Sequence, residues 1–286
     1  MKKKIALIFF VMITTLLSST FGLTPIGPPK SSDLREGQWT LGIELSHNNM
    51  DLETLGTVIE NQLSPLPAVR TNDYTKYQIE NLKSTMLMAN LNTGIWDNWD
   101  IFLRLGLTKT QGDITEILAS GSTGEEFEDF DSSAGFAWGL GTKVDFYEDA
   151  EITWGGVCQV TFANPDGSSV TQKSEATFNG DAEISYWEIH VAIGPTIEYD
   201  TYRLYGGPFL HLVNGDLDID GRYVDSVTPG GPYDISLKSS HDIREESQLG
   251  GFAGAQWYLG NNTSMYTELQ FTGDAWGVGF GTIWRY

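Results

Sequence analysis

The segment Asp216-Leu217-Asp218-Ile219-Asp220-Gly221 places three carboxylates at alternate positions ahead of a glycine. Hard oxygen ligands at that spacing form the first half of an EF-hand loop, so Asp216, Asp218 and Asp220 are candidates for calcium, the one cofactor the sequence suggests. The second half of such a loop is missing, because its twelfth position is Val227 where a bidentate glutamate belongs. An extended hairpin arm accounts for the alternation equally well. Ser46-His47 and Glu188-Ile189-His190 are the pairs whose types suit nucleophilic or general-base chemistry. Adjacent strand residues point to opposite faces, so Ser46 and His47 cannot act as a dyad. With four histidines in the chain and no nucleophile in reach of a base, it reads as a non-enzyme.

All of these residues lie in segments with a two-residue period. Trp39, Leu41, Ile43 and Leu45 alternate with Thr40, Gly42, Glu44 and Ser46, giving a strand one apolar and one polar face. The pattern converges on short polar turns in four hairpins: 87–107 around Trp96-Asp97-Asn98-Trp99, 136–162 around Tyr147-Glu148-Asp149, 184–212 around Tyr199-Asp200-Thr201-Tyr202, and 249–271 around Gly260-Asn261-Asn262. With the first strand and the last, at 275–286, the count is about ten, with about eight or twelve as the alternatives. Connections alternate between short and long, the long ones being 48–80, 109–134, 164–181 and 214–242, and 272–274 the exception. Aromatics gather beside the short turns, at Trp96, Trp99, Phe146, Tyr199, Tyr202, Trp257 and Tyr258. That is where an interfacial girdle belongs. Pro195 and Pro208 fall inside apparent strands and predict a local bulge. A parity change between Leu210, Leu212 and Leu217, Ile219 predicts another at Asn214-Gly215.

The chain opens Met1-Lys2-Lys3-Lys4, continues with an apolar run to Leu17, and reaches small residues at Thr20 and Gly22. This is the layout of a secretory signal, so cleavage near Gly22 is expected, leaving a Pro-rich lead at 23–36 and a barrel at 37–286. The apolar run is shorter than the roughly 20 residues of a membrane-spanning helix, and nothing after it is longer. A single cysteine, Cys158, excludes an intramolecular disulfide. Without the three signal lysines the chain has 14 basic and 38 acidic residues, a net charge of −24 (14 − 38), which argues against a nucleic-acid partner. Its 9 Trp, 12 Tyr and 14 Phe are too many for a disordered acidic chain.

In the last strand Trp276, Val278, Phe280, Thr282, Trp284 and Tyr286 share one face, and the chain ends on an aromatic. This resembles the C-terminal signature of bacterial outer-membrane barrels, of the small OmpA-like and porin-like class. The resemblance implies an all-β, closed, antiparallel up-and-down transmembrane β-barrel in the cell outer membrane. It also implies that Phe280, Trp284 and Tyr286 are read by the barrel-assembly machinery, and that outer-membrane lipid and lipopolysaccharide surround a monomer. Ten strands at this length also resemble the omptin class of outer-membrane proteases, which implies an aspartate pair and an Asp-x-His element at the outer rim. Asp216-x-Asp218 is present, but no histidine has an aspartate two positions before it. A lipid-hydrolysing barrel would need a dyad that Ser46-His47 does not supply.

The strand phases turn Glu44, Arg104, Lys143, Glu151, Glu188, His190, Glu198, Arg203, Glu268, Gln270 and Arg285 inward. In a narrow barrel such a set either fills the lumen with ion pairs or lines a cation-selective channel. Outside, Asp113, Glu116, Glu125, Glu126, Glu128, Asp129 and Asp131 make an acidic loop, with no Lys or Arg between 112 and 132. The expected function is a structural or narrow porin-like barrel with acidic extracellular loops. The alternative is a surface adhesin or receptor that binds through them.

Overall fold

Alternating strands leave their backbone N–H and C=O groups pointing sideways, and in lipid each of these needs a protein partner, so the sheet must close on itself. The computed structural model describes residues 23–32, 34, 36–64, 68–117, 123–149, 151–172, 179–225, 232–245, 247–260 and 262–286. The expected signal peptide, 1–22, lies outside them. Among the described residues one antiparallel sheet contains β1 (Trp39–Ser64), β2 (Ala68–Trp96), β3 (Trp99–Ile117), β4 (Thr123–Asp131), β5 (Ser133–Asp149), β6 (Ile152–Asp166) and β7 (Ser168–Gln172). It continues with β8 (Asn179–Glu198), β9 (Tyr202–Asp225), β10 (Tyr233–Arg244), β11 (Leu249–Tyr258), β12 (Thr263–Phe271) and β13 (Ala275–Arg285).

The sheet closes twice. Its lower ring runs β1, β2, β3, β5, β6, β8, β9, β11, β12, β13 and back to β1, which makes the ten strands expected. Higher up, β12 and β13 have ended in the tight turn at 272–274, and β1 exchanges β13 for β10. The upper ring, β1, β2, β3, β4, β7, β8, β9, β10, has eight strands. The long outer connections therefore correct the loop reading: most of 48–80, 109–134 and 214–242 is strand, and the acidic segment 123–131 is β4. The hairpin arm expected around 214–242 is present as β9 and β10.

The parity change at Asn214-Gly215 is not a bulge, because β9 pairs with β8 without a shift from Asn179↔Arg222 to Ala192↔Phe209. What changes is the medium outside. In the lower ring Leu41, Ile43, Leu45, Leu87, Leu105 and Leu107 are exposed on the outer face, as lipid contact requires. In the upper ring Met50, Leu52, Ile79, Ile114, Leu217 and Ile219 are buried inside, while Asp51, Glu53, Asp216 and Asp218 face out. In β1, β3 and β9 the inward parity is constant and the apolar residues change sides with the solvent, whereas β2 shifts at a bulge between Glu80 and Lys83 that turns both Leu82 and Ile79 inward. The prolines produce no bulge either. The β8–β9 ladder skips from Ala192↔Phe209 to Thr196↔Tyr205 in the same register, so the missing Pro donors are accommodated by an interrupted ladder.

The eleven residues of β13, at ~3.3 Å each and a tilt of ~40°, rise about 28 Å, close to the height of an outer-membrane apolar belt. At the lower rim Tyr199 stacks on Tyr202 and Trp96 meets Trp99 edge to face, as members of the expected girdle, and the stacked pair of Trp39 and Tyr286 joins them there. A charge in the belt should be costly and the same charge above it harmless. Leu105→Arg is expected to destabilise the protein by roughly 2–4 kcal/mol in urea titrations from lipid vesicles, whereas Asp216→Arg, at a position that faces Asp242 across the sheet, is expected to leave stability unchanged or raise it by under ~1 kcal/mol.

Candidate functional site: the barrel interior

Eight strands enclose a space that side chains alone can fill, and ten enclose a wider one. In the upper ring the filling is apolar, with Met50, Leu52, Val58, Ile79, Leu82, Ile114, Phe130, Ile184, Leu217 and Ile243 in one core. In the lower ring it is the chain's own N-terminal lead. Leu23, Thr24, Ile26, Lys30, Ser31 and Leu34 are buried within the barrel, a placement that the sequence, lacking any period here, did not announce.

Polar contacts hold this segment along its length. Glu268 accepts from the backbone N–H of Ile26 at 2.7 Å and of Gly27 at 2.8 Å. Lys143 donates to the Pro28 carbonyl at 2.8 Å, and Gln270 to that of Thr24 at 3.1 Å. Lys30 pairs with Glu198 at 3.1 Å, Ser31 donates to Asp145 through both its N–H and its hydroxyl, and the Ser32 N–H donates to Asp100. Inward glycines make the room. A β-carbon at Gly155 would run into the Pro29 carbonyl, and one at Gly279 into the Pro25 ring.

The predicted inward set is thus largely brought together. Arg104 and Glu44 form a buried ion pair, and Glu44 also accepts from Tyr266 at 2.5 Å and Asn90 at 3.0 Å. Arg203 donates to Gln256 at 2.8 Å and lies 3.4 Å from Glu198. Arg285 sits at the open lower end, donating to the Ser32 carbonyl at 2.6 Å. Glu151 is the exception, since it is exposed in the β5–β6 turn instead of facing inward.

Where the two rings join, Glu188, His190 and His211 gather, all buried. His190 on β8 is the direct cross-strand partner of His211 on β9, and their rings stack with centroids 4.3 Å apart. The carboxylate of Glu188 lies 3.3 Å from His211 Nε2 and accepts the Thr24 hydroxyl. Glu245, in the break between β10 and β11, reaches down to within 2.7 Å of His211 Nδ1. The sequence reading selected Glu188 and His190 but missed His211 and Glu245. Counting outward from the Tyr199–Tyr202 turn would have paired the two histidines; nothing local marks Glu245.

Asp216, Asp218 and Asp220 do not converge. They lie in extended β9, ~6.8 Å apart in succession, and exposed on the outer face. Each faces another strand: Asp216 lies opposite Asp242, Asp218 opposite Glu183 and Ser240, and Asp220 opposite Asp181 and Lys238, the last as a 3.4 Å ion pair. Near the top of the belt Lys109 donates to Asp131 at 2.7 Å, which lowers that carboxyl's pKa. Ser46 is buried and His47 faces out against Thr85, on opposite sides of β1.

A closed ten-stranded antiparallel ring with an apolar outer belt and a polar interior defines a transmembrane β-barrel of the bacterial outer-membrane class. No family model and no curated protein matches the chain. Solved structures that align with it include the outer membrane protease OmpT from Escherichia coli, at 12% identity and TM-score 0.46, over 90% of this chain and 97% of that one. OprG from Pseudomonas aeruginosa aligns at 10% and 0.41 (88% and 97%), and the Ralstonia pickettii toluene transporter TbuX at 9% and 0.40 (94% and 95%). These likenesses are too distant to argue from; the class rests on ring closure and the belt.

Removing one partner of the buried pair strands the other. Glu44→Gln is expected to cost roughly 3–5 kcal/mol in urea titrations, and the double variant Glu44→Leu, Arg104→Met to recover most of it.

Proposed function

We propose that this protein is a closed barrel that anchors a surface-binding extension outside the outer membrane, and not a porin-like channel or an enzyme. The observation that carries this reading is the filled interior. Residues 23–32 and Leu34 occupy the ten-stranded ring and an apolar core occupies the eight-stranded ring above it, so a solute would meet two barriers in series.

The surface role is supported by the outer face of β8, β9 and β10. There Asp181 faces Asp220, Glu183 faces Asp218, and Asp216 faces Asp242. Like charges directly opposite one another weaken a sheet, and a cationic partner removes that penalty. A groove of about 510 Å³ lies beside them, lined in part by Asp181, Glu183, Asp218, Asp220 and Lys238. Lower on the barrel, Lys83 and Lys109 stand just above Leu87 and Leu107 in the β2–β3 ladder, at a height that suits lipopolysaccharide phosphates. Phe280 and Trp284 on β13, with Tyr286 just beyond its end, suit recognition by the assembly machinery.

Planar-bilayer recording of refolded protein tests the closed barrel. Silence is expected from the wild type, and also from Gly155→Val, which disturbs the N-terminal segment beneath an intact upper core; a steady cation-selective conductance in the wild type would sink the proposal. For the acidic face, Asp218→Asn is expected to raise stability by roughly 0.2–1 kcal/mol in chelator, and by less when calcium is present. Equal effects in both conditions would remove cations from this account.

A further inference from the structure

The ring junction holds a donor set that the plugged-barrel reading leaves without a role. Glu188, His190 and His211 each offer one ligand atom, and these atoms lie within 4.8 Å of one another. Ligands about 2.0–2.2 Å from a tetrahedral zinc sit about 3.4 Å apart, so a small turn of each side chain would seat an ion.

Two further observations point to a ligand. His190 is fully buried, and neither of its ring nitrogens has a hydrogen-bond partner among the described residues. A buried imidazole nitrogen without a partner is destabilising, and a cation bound at its lone pair would offset that cost. The second is the position of Glu245. Its carboxylate lies 2.7 Å from His211 Nδ1, near enough that a small rotation seats the Nδ1 proton on it, which would leave Nε2, on the Glu188 side, free to ligate a metal. Carboxylates behind ligating histidines serve this purpose at metal centres.

We propose that Glu188, His190 and His211 bind one first-row divalent transition-metal ion of the zinc class, which clamps β8 to β9 beneath the eight-stranded extension. Two imidazoles and one carboxylate exclude calcium and magnesium, which take oxygen ligands. The Thr24 hydroxyl already donates to the carboxylate, so the ion also fastens the upper end of the N-terminal segment. Its role is structural, because the buried site gives a substrate no approach.

The test uses the protein refolded into detergent with zinc and then desalted. About one zinc per chain is expected in the wild type, and roughly tenfold less in His190→Ala and in Glu188→Gln. His190→Ala removes a ligand without removing a hydrogen bond, and its gel mobility before and after boiling reports whether it folded. Cobalt in place of zinc gives a readout on the wild type alone, as visible absorption bands of a nitrogen-ligated ion. Zinc-free wild type, zinc kept at one per chain in both variants, or cobalt without those bands would each overturn the proposal.

Discussion

A strand in lipid has nowhere to satisfy its backbone amides except in another strand, and that requirement shapes the whole molecule. β13 must return to β1, which it does from Thr40↔Arg285 to Met50↔Ala275. Above the membrane water could satisfy an edge, yet the sheet still closes, because an open edge there would expose the apolar residues stored inside. The second closure, β1 onto β10, needs two fewer strands. Strand number then fixes width, and width decides what must fill each level.

The wider ring is not filled by its own walls, whose inward side chains are in large part polar or small. Residues 23–32 and Leu34 complete it, and they bring backbone groups that need partners in a dry interior. Glu268, Lys143, Gln270, Asp145 and Asp100 supply them. Lumen charges that resemble the lining of a pore are therefore used to hold a segment of chain. The narrower ring has no such demand and is filled like the core of a soluble protein.

These two solutions meet at His211. At that height β9 leaves β11 and takes up β10, and the break between those two strands lets Glu245 enter the interior. At this junction between closures of different width Glu188, His190, His211 and Glu245 collect, beside apolar residues that continue through both levels. Outside, the same change of level replaces a lipid-facing surface with one rich in carboxylates.

Much of this was written in the sequence. The two-residue period gave the strands, the short aromatic-flanked turns gave the hairpins, and the last strand gave the class, because each depends on neighbours a few residues apart. Phase also placed Glu44, Arg104, Glu188, His190 and Glu268 inside. Parity was misread at Asn214-Gly215, because an apolar residue means "outside" in lipid and "inside" in water, and the sequence does not say where one medium ends. The burial of residues 23–31 and Leu34, the pairing of Asp181, Glu183 and Asp242 against β9, and the approach of Glu245 to His211 were decided only by tertiary structure. Each depends on how many strands close the ring and where the count changes, and no stretch of chain carries that information alone.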